Sequence, residues 1–251
     1  MTDDILKALA SSFHCDVTDF YSEKNKVIIA ESGDPFFRVI TLGRNAVVSV
    51  HEKFYSWCSE WYGNVEGTFC FDAPKLVDLG LAMRPFGYGL GEIYDCFLSG
   101  CTNRGKVASV HAVDFALYEN EQVIDLYGRG AFENALTLEE PSETRFAYVA
   151  TENGDICGLA GASKNYYGHW CVGVDVLPNA RNRGIATRLI QLLTLHLLEL
   201  GNTIIYPTWY SNIASRKVAL RAGYLPAWVE ISSKRRECNN ALHSTETSSA
   251  D

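Results

Sequence analysis

The segment 172–187 is the feature of this 251-residue sequence that most constrains its fold. An apolar run at 172–176 predicts a strand, Pro178 ends it, and a helix is expected to begin at Gly184. The first amides of a helix have no partner within it and carry partial positive charge. The small residues Gly184 and Ala186 would let a phosphate approach those amides, so the sequence predicts a diphosphate site.

The distribution of charge supports an anionic ligand at this turn. The chain has a formal net charge of −8, which disfavours general nucleic-acid binding. Residues 165–233 nevertheless carry a net +3, whereas 1–115 and 116–164 carry −5 and −6. Arg181 and Arg183 lie in the turn itself. Three further basic residues on the next expected helix either contact phosphates or form a solvated face: Arg216, Lys217 and Arg221.

The second half of the chain shows a regular order of elements. Two strands joined by a turn at Asn153-Gly154 precede a third strand, a helix, a fourth strand, a second helix and a fifth strand. This order predicts an α/β fold in which helices pack on a mixed sheet. The expected ranges are 145–151, 155–162, 169–176, 184–200, 203–209, 212–222 and 228–231.

The first 115 residues predict a packed α/β unit, because their many aromatic residues are typical of a core. Helices are expected at 4–13, 46–61 and 74–83, and strands at 26–31, 36–42 and 92–98. The polar residues that follow Ser232 have no apolar periodicity and are expected to be disordered.

Two motifs carry a resemblance to a known family. The pattern R-x-x-G-x-A at 181–186, after a strand that ends at Val176, resembles the acetyl-CoA signature of the GNAT N-acetyltransferase superfamily. A second match lies in the helix after the next strand, in the register of that family's N-x-x-[AS]…G-[FY] pattern. Its residues are Asn212, Ser215, Gly223 and Tyr224. The resemblance covers roughly residues 119–233.

The resemblance implies a fold and a division of the chain. The fold would be α/β (α+β), with a mixed, mostly antiparallel sheet flanked by helices. Residues 119–233 would form the acetyltransferase domain, 1–118 an N-terminal α/β subdomain of unassigned role, and 234–251 a disordered tail. The N-terminal part is interpreted as a degenerate GNAT-like half, as a lid over the acceptor site, or as a dimer surface, with a homodimer as one expectation.

The resemblance also implies how acetyl-CoA binds, without a metal. The amides of residues 183–187 would hold the diphosphate, and free backbone groups of the strand before the turn would hold the pantetheine arm. An N–H of that strand, assigned to Val176, would polarise the thioester carbonyl. The implied cofactor-binding residues are Val174, Asp175, Val176, Arg181, Arg183, Gly184, Ile185, Ala186, Thr187, Asn212 and Ser215.

The implied reaction is direct transfer of an acetyl group from acetyl-CoA to a primary amine. The sequence departs from the family at Ala219, where the usual tyrosine acid is missing. The candidate acids nearby are Tyr210, Tyr206, Tyr166 and Tyr167. The candidate bases are His169, Asp175 and Glu230, and the expected catalytic set is Val176, Tyr210, His169 and Glu230. His196 is expected to lie in the core.

Acidic residues before the motif suggest the acceptor. Glu133, Glu139, Glu140 and Glu143 lie in or near loops, where they either surround a cationic amine or form a solvated face. We therefore expect a small amine rather than a protein acceptor. Loss of catalysis is the alternative: the missing tyrosine is also compatible with a sensor or scaffold that only binds acetyl-CoA or CoA.

Other functions have weaker support. Residues 100–107 are similar to a nucleotide P-loop, but Val107 replaces the hydroxyl that ligates Mg²⁺. The glycines at 87–91 are more typical of a turn than of a dinucleotide fingerprint, because Glu92 replaces the third glycine. The eight cysteines form no C-x-x-C pair, so neither zinc nor a disulfide framework is expected. No segment predicts a membrane span or a signal peptide, and a cytoplasmic protein is expected.

Overall fold

A computed structural model describes residues 3–100, 110–128, 131–137, 144–164 and 169–236 of the chain. Six α-helices lie in these residues: α1 Asp3–Phe13, α2 Glu52–Gly63, α3 Ala73–Met83, α4 Glu121–Ile124, α5 Ile185–Glu199 and α6 Ile213–Ala222. The ten strands are β1 Lys26–Ile29, β2 Phe37–Thr41, β3 Ala46–Val50, β4 Tyr88–Ser99, β5 Asp114–Glu119, β6 Phe146–Glu152, β7 Asp155–Lys164, β8 Trp170–Val176, β9 Ile204–Trp209 and β10 Tyr224–Arg235.

All ten strands form one continuous sheet in the order β1-β3-β2-β10-β4-β9-β8-β7-β6-β5. Two of its neighbouring pairs are parallel, β1 with β3 and β8 with β9, and the other seven are antiparallel. The expectation of a mixed, mostly antiparallel sheet flanked by helices is therefore confirmed.

Strand β4 joins the two halves of the chain. It comes from the N-terminal half, yet it lies between β9 and β10, which both come from the C-terminal half. Its long pairing with β10 runs from Tyr224↔Ser99 to Arg235↔Tyr88, and Tyr94 is paired with Trp209 of β9. The backbone hydrogen bonds of the C-terminal half thus require a strand from the N-terminal half.

The sheet separates two layers, which we call the front and back faces. The back face packs against α2 and α3 in the first half and against α5 and α6 in the second. The front face packs against α1, α4 and the segment 131–137. Alternate residues of each strand point to opposite faces. Tyr94 and Cys96 of β4 therefore lie on the front with α1, whereas Phe97 lies on the back with α5 and α6.

Most expected elements are present, with shifted ends. The hairpin at Asn153-Gly154 is confirmed, and both residues have positive φ, +53° and +91°. The helix expected at 46–61 is wrong in its first part, because Ala46–Val50 is a fully buried strand and α2 begins at Glu52. An apolar run buried on both faces has no period that separates strand from helix.

The start and the end of the C-terminal half also differ from expectation. Strand β5 begins at Asp114, so the expected boundary between residues 118 and 119 falls inside a strand. Strand β10 extends to Arg235 because β4 pairs with it along its length, although a disordered tail was expected from Lys234. Residues 237–251 lie outside the described residues.

Candidate active site

Strands β8 and β9 separate towards their carboxyl ends. They are parallel and pair only at Trp170↔Ile204 and Cys171↔Ile205. On its other side, β8 pairs with β7 along its whole length, up to Val176↔Gly158. The sheet therefore contains a gap between β8 and β9 that begins beyond Cys171.

The backbone of β8 presents every second residue to this gap. The amide of Leu177 donates to the carbonyl of Cys157, at 2.9 Å, so the residues that exchange hydrogen bonds with β7 are the odd-numbered ones. The backbone groups of Val172, Val174 and Val176 therefore point towards β9 and into the gap. Asp175 was expected to share this role, but its backbone groups point towards β7.

The start of α5 forms a cluster of unpaired amides at the end of the gap. Gly184 caps the helix in the left-handed conformation, φ +84°, and Asn182 is also left-handed, φ +63°. Within the part of the chain that the structure describes, no protein acceptor bonds the amides of residues 185–187. Such successive amides at a helix start bind anions. Gly184 itself is exposed, so its surface is open to a ligand.

The two arginines of the turn have separate partners. Arg181 donates its Nε to the carbonyl of Val176, at 2.9 Å, and so ties the turn to the end of β8. Arg183 makes two hydrogen bonds to the carboxylate of Glu152, at 2.8 and 2.6 Å. The bond from Arg183 lowers the pKa of Glu152. Sequence reasoning missed Glu152, whose place beside the turn depends on the β6–β7 hairpin.

Residues 111–224 match the family model described as acetyltransferase (GNAT) family. This part of the chain is a GNAT domain. Its match includes the strand, the gap, the helix start and α6 described here, and it agrees with the resemblance of the two motifs.

Solved structures with GNAT descriptions are also similar to the chain. One from Novosphingobium aromaticivorans DSM 12444 is 17% identical over 59% of this chain and 66% of its own, with a TM-score of 0.44. An acetyltransferase from Colwellia psychrerythraea is 19% identical over 64% and 63%, with a TM-score of 0.41. A GCN5-related N-acetyltransferase-like protein from Streptococcus suis 89/1591 is 12% identical over 82% and 87%, with a TM-score of 0.49. The chain thus spans just under two thirds of the first two. None of the curated proteins compared with the chain matches it.

The second motif of the GNAT domain forms the start of α6. Asn212 caps this helix through its side-chain oxygen, which accepts from the amide of Ser215 at 3.0 Å. The side-chain amide of Asn212 can still donate to a ligand. The hydroxyl of Ser215 lies 2.9 Å from that of Tyr206, which belongs to β9 and faces the back layer. Ser215 therefore holds the phenol of Tyr206 in place.

No tyrosine replaces the missing acid from within α6. Ala219 is fully buried in the core beneath the helix. Tyr210 is 59% exposed, with the Arg216 guanidinium 5.6 Å from its ring centre. Tyr206 is 2% exposed, and burial raises its pKa above the ordinary value. Tyr224 bonds Thr194 at 2.6 Å, and burial raises its pKa as well. Tyr166 and Tyr167 lie outside the described residues.

A short segment covers β7 and β8 on the front face. The carboxylate of Asp175 accepts from the amides of Asn134 and Ala135, at 2.8 and 3.0 Å, and from the side-chain amide of Asn134, at 2.6 Å. Two glycines allow this approach. A Cβ atom at Gly173 would lie 1.7 Å from the carbonyl oxygen of Asn134, and one at Gly161 would lie 1.9 Å from that of Ala135. The Asp175 carboxylate is thus engaged in holding this segment, which sequence reasoning did not anticipate.

The other two expected bases lie away from the gap. His169 precedes the amino end of β8, near Asp4 of α1, whereas the gap opens at the opposite end. Glu230 lies on β10, two strands beyond β9, and accepts from the indole of Trp228 at 3.0 Å. Neither position suits removal of a proton at the gap. His196 lies at the edge of the core: its ring packs against Phe146, its Nε2 is buried, and it is 3.3 Å from the carboxylate of Glu119.

Several other expectations concern residues that are not described. The P-loop-like residues 101–107 and the acidic residues Glu139, Glu140 and Glu143 fall in this group. Gly87 forms a turn with φ +81°, as expected, but β4 begins at Tyr88, so Gly89 and Gly91 lie in the strand rather than in the turn expected at 87–91. Among the described residues, no group of three or more His, Cys, Asp or Glu is arranged to hold a metal ion. No described helix is long and apolar enough to cross a membrane.

The observed arrangement fits acetyl-CoA as a ligand. The free amides at the start of α5 suit a diphosphate, and the gap offers peptide groups of Val174 and Val176 to an extended amide chain. Asn212, at the start of α6, follows the end of β9 in the chain. Among the expected cofactor residues, Asp175 has a different role, because its carboxylate holds the segment on the front face and its backbone groups point towards β7.

Proposed function

We propose that the protein transfers the acetyl group of acetyl-CoA directly to the nitrogen of a primary amine. The observation that carries this proposal is the gap between β8 and β9, which ends at the unpaired amides of α5. A donor held by those amides would extend along β8 towards the closed end of the gap. An amine could reach the same point from the front face.

Acetyl-CoA would supply an activated acetyl group, and residues of this chain would hold that group in place. The amides of residues 185–187 would bind the diphosphate, and Asn212 would donate to the pantetheine amides. The N–H of Val174 lies nearer the closed end of the gap than that of Val176, whose carbonyl already accepts from Arg181. We therefore assign polarisation of the thioester carbonyl to Val174, with Val176 further out along the same edge.

The transfer exchanges one bond for another. The amine nitrogen forms a bond to the acetyl carbon while the carbon–sulfur bond breaks, the nitrogen loses a proton, and the thiolate gains one. We propose Tyr206 as the acid, because its phenol is held by Ser215 at the start of α6. Burial raises the pKa of Tyr206, which keeps the phenol protonated at neutral pH. Tyr210, exposed on the neighbouring turn, is the second candidate.

Among the residues that the structure describes, none is assigned as the acceptor of the amine proton. Asp175 is engaged with residues 134 and 135, and His169 and Glu230 lie too far from the gap. We propose that water on the front face removes this proton. The rate should then rise with pH as the neutral fraction of the amine grows.

Loss of catalysis is the second candidate function, and Ala219 favours it. A domain that keeps the cofactor groove and lacks the usual acid would bind acetyl-CoA without turning it over. One experiment separates the two functions. Acetyl-CoA binding is measured by calorimetry, and free thiol is followed with and without a panel of small amines. Amine-dependent thiol release supports the enzyme, binding without release supports the sensor, and no binding contradicts both.

A further inference from the structure

A row of three side chains crosses the front face beside the gap. Glu230 of β10 is paired in register with Tyr94 of β4, which is paired in turn with Trp209 of β9. Residues in register on neighbouring strands point to the same face of a sheet. The sheet continues across the gap to β8, so Trp209 is the member of the row nearest the reacting groups.

The two aromatic residues of the row form a fixed surface. The indole nitrogen of Trp209 donates to the hydroxyl of Tyr94 at 3.0 Å. Trp209 is nevertheless 53% exposed, although it lies at the centre of a ten-stranded sheet. A hydrogen-bonded indole with an open face can bind an apolar chain or a cation.

The third residue gives this surface a negative end. Glu230 is partly buried and partly accessible, and the indole nitrogen of Trp228 donates to its Oε2 at 3.0 Å. Trp228 is 4% exposed, so its indole forms a rigid support for the carboxylate. A carboxylate fixed in this way can form a charge-assisted hydrogen bond with an ammonium group.

The spacing of the strands sets the distance between Glu230 and the gap. Neighbouring strands lie about 4.8 Å apart, so β10 is about 10 Å from β9. A nitrogen that reacts in the gap beside β9 is therefore too far from Glu230 for direct contact. A second cationic group on the same acceptor could reach Glu230 while the chain between them covers Tyr94 and Trp209.

We infer that the acceptor is a diamine or polyamine, with one nitrogen in the gap between β8 and β9 and a second, protonated nitrogen on Glu230. The inference rests on the proposed acetyl transfer and names its substrate class. Glu230 acts here as a binding residue, in place of the base expected from sequence. Allowing for the reach of the carboxylate, the two nitrogens should lie about 8 to 10 Å apart, which corresponds to about five to seven methylene groups in an extended chain.

The test is a series of α,ω-diamines from three to eight methylene groups, beside alkyl monoamines of the same lengths. Thiol release is measured at saturating acetyl-CoA. We expect kcat/KM for the diamines to peak at about five to seven methylene groups and to exceed that of the matching monoamines about tenfold or more. Equal values for diamines and monoamines, or a peak at three methylene groups, would contradict the inference while leaving acetyl transfer intact.

Two variants locate the second nitrogen. Glu230→Gln keeps the shape of the side chain and removes its charge, so it should raise KM for the best diamine about tenfold and leave monoamines unchanged. Glu92→Gln is the matched control, because this exposed carboxylate of β4 lies outside the row. An equal effect of both variants would contradict the assignment. Thiol release with no amine at all would instead contradict the proposed function, and acetyl-CoA binding by each variant shows that it is folded.

Discussion

Asp175 holds Asn134 against the front of the sheet through two hydrogen bonds, at 2.6 and 2.8 Å. The same carboxylate accepts from the amide of Ala135 at 3.0 Å. A residue of β8, the strand that borders the gap, thus fixes the segment that covers β7 and β8 on the front face. Asp175 therefore couples this segment to the strand at the gap.

Asp175→Asn tests this coupling. The NH2 group of the new asparagine would face one of the three N–H groups of residues 134 and 135 that now donate to the Asp175 carboxylate. We therefore expect a loss of about 1 to 3 kcal/mol in the free energy of unfolding. KM for the acceptor should rise, whereas acetyl-CoA should bind as before because the backbone of residue 175 points away from the gap. Denaturant unfolding and calorimetry measure the two effects. Weaker acetyl-CoA binding with unchanged stability would place the carboxylate in the cofactor site.

Gly184→Glu tests the diphosphate site. The carboxylate would occupy and repel the phosphate position, and the left-handed backbone would add strain of about 1 to 3 kcal/mol. We expect no acetyl-CoA binding by calorimetry. Gly201→Glu is the matched control, because Gly201 has a similar φ of +78° beyond the other end of α5. Binding retained in Gly184→Glu would exclude the amides of α5 as the diphosphate site.

Glu152→Gln tests the partner of Arg183. The neutral side chain leaves Arg183 free to contact an anionic ligand, so acetyl-CoA should bind a few-fold more tightly and with a steeper dependence on salt. Affinities at two salt concentrations check both effects. Asp155→Asn, on the same hairpin, serves as the control. If binding weakens, the ion pair serves to shape the turn at 181–184.

Tyr206→Phe tests the proposed acid. It should lower kcat about 100-fold or more and leave acetyl-CoA affinity unchanged, since general acids contribute factors of about 10² to 10⁴. An acid works while protonated, and burial raises the pKa of Tyr206. Activity of the unsubstituted protein should therefore show no decline up to about pH 10, the ordinary pKa of tyrosine. Tyr210→Phe is the comparison, and a larger effect there would transfer the role to Tyr210.

A truncated chain tests the role of β4. Residues 111–251 contain the matched GNAT domain but lack the strand that lies between β9 and β10. We expect this fragment not to fold alone, because two strand edges and the core beneath them would be left without partners. Circular dichroism would show little cooperative unfolding, and addition of residues 1–110 as a second chain should restore it. Cooperative unfolding by the fragment itself would show that β4 is dispensable.

The elements that carry the two motifs could be predicted from sequence because their parts are local. Gly184 at a helix start, Asn212 at the next one and the strand before them need only short-range geometry, so residues 174–187 were identified with the correct elements. The exception is Asp175, whose backbone direction depends on the pairing of β8 with β7. Strand pairing is a long-range property that a one-residue change of register reverses.

The positions of the candidate catalytic residues relative to the gap were less predictable for the same reason. His169 and Val176 mark the two ends of the strand expected at 169–176, and only the pairing of β8 with β9 shows that the gap opens at the Val176 end. Tyr94 and Trp209 are 115 residues apart and meet only because β4 inserts beside β9. No spacing in the sequence indicates that contact.

The sequence by itself determined the cofactor motifs, the order of elements in the second half and the acidic character around a positive segment. These depend on helix starts, turns and hydrophobic periods, which are set by residues close in the chain. Only the tertiary structure decided which strand completes the sheet, which side chains face the gap and what Glu230 can reach. Those relations arise from pairing between distant strands, where packing of the two faces selects one register among many.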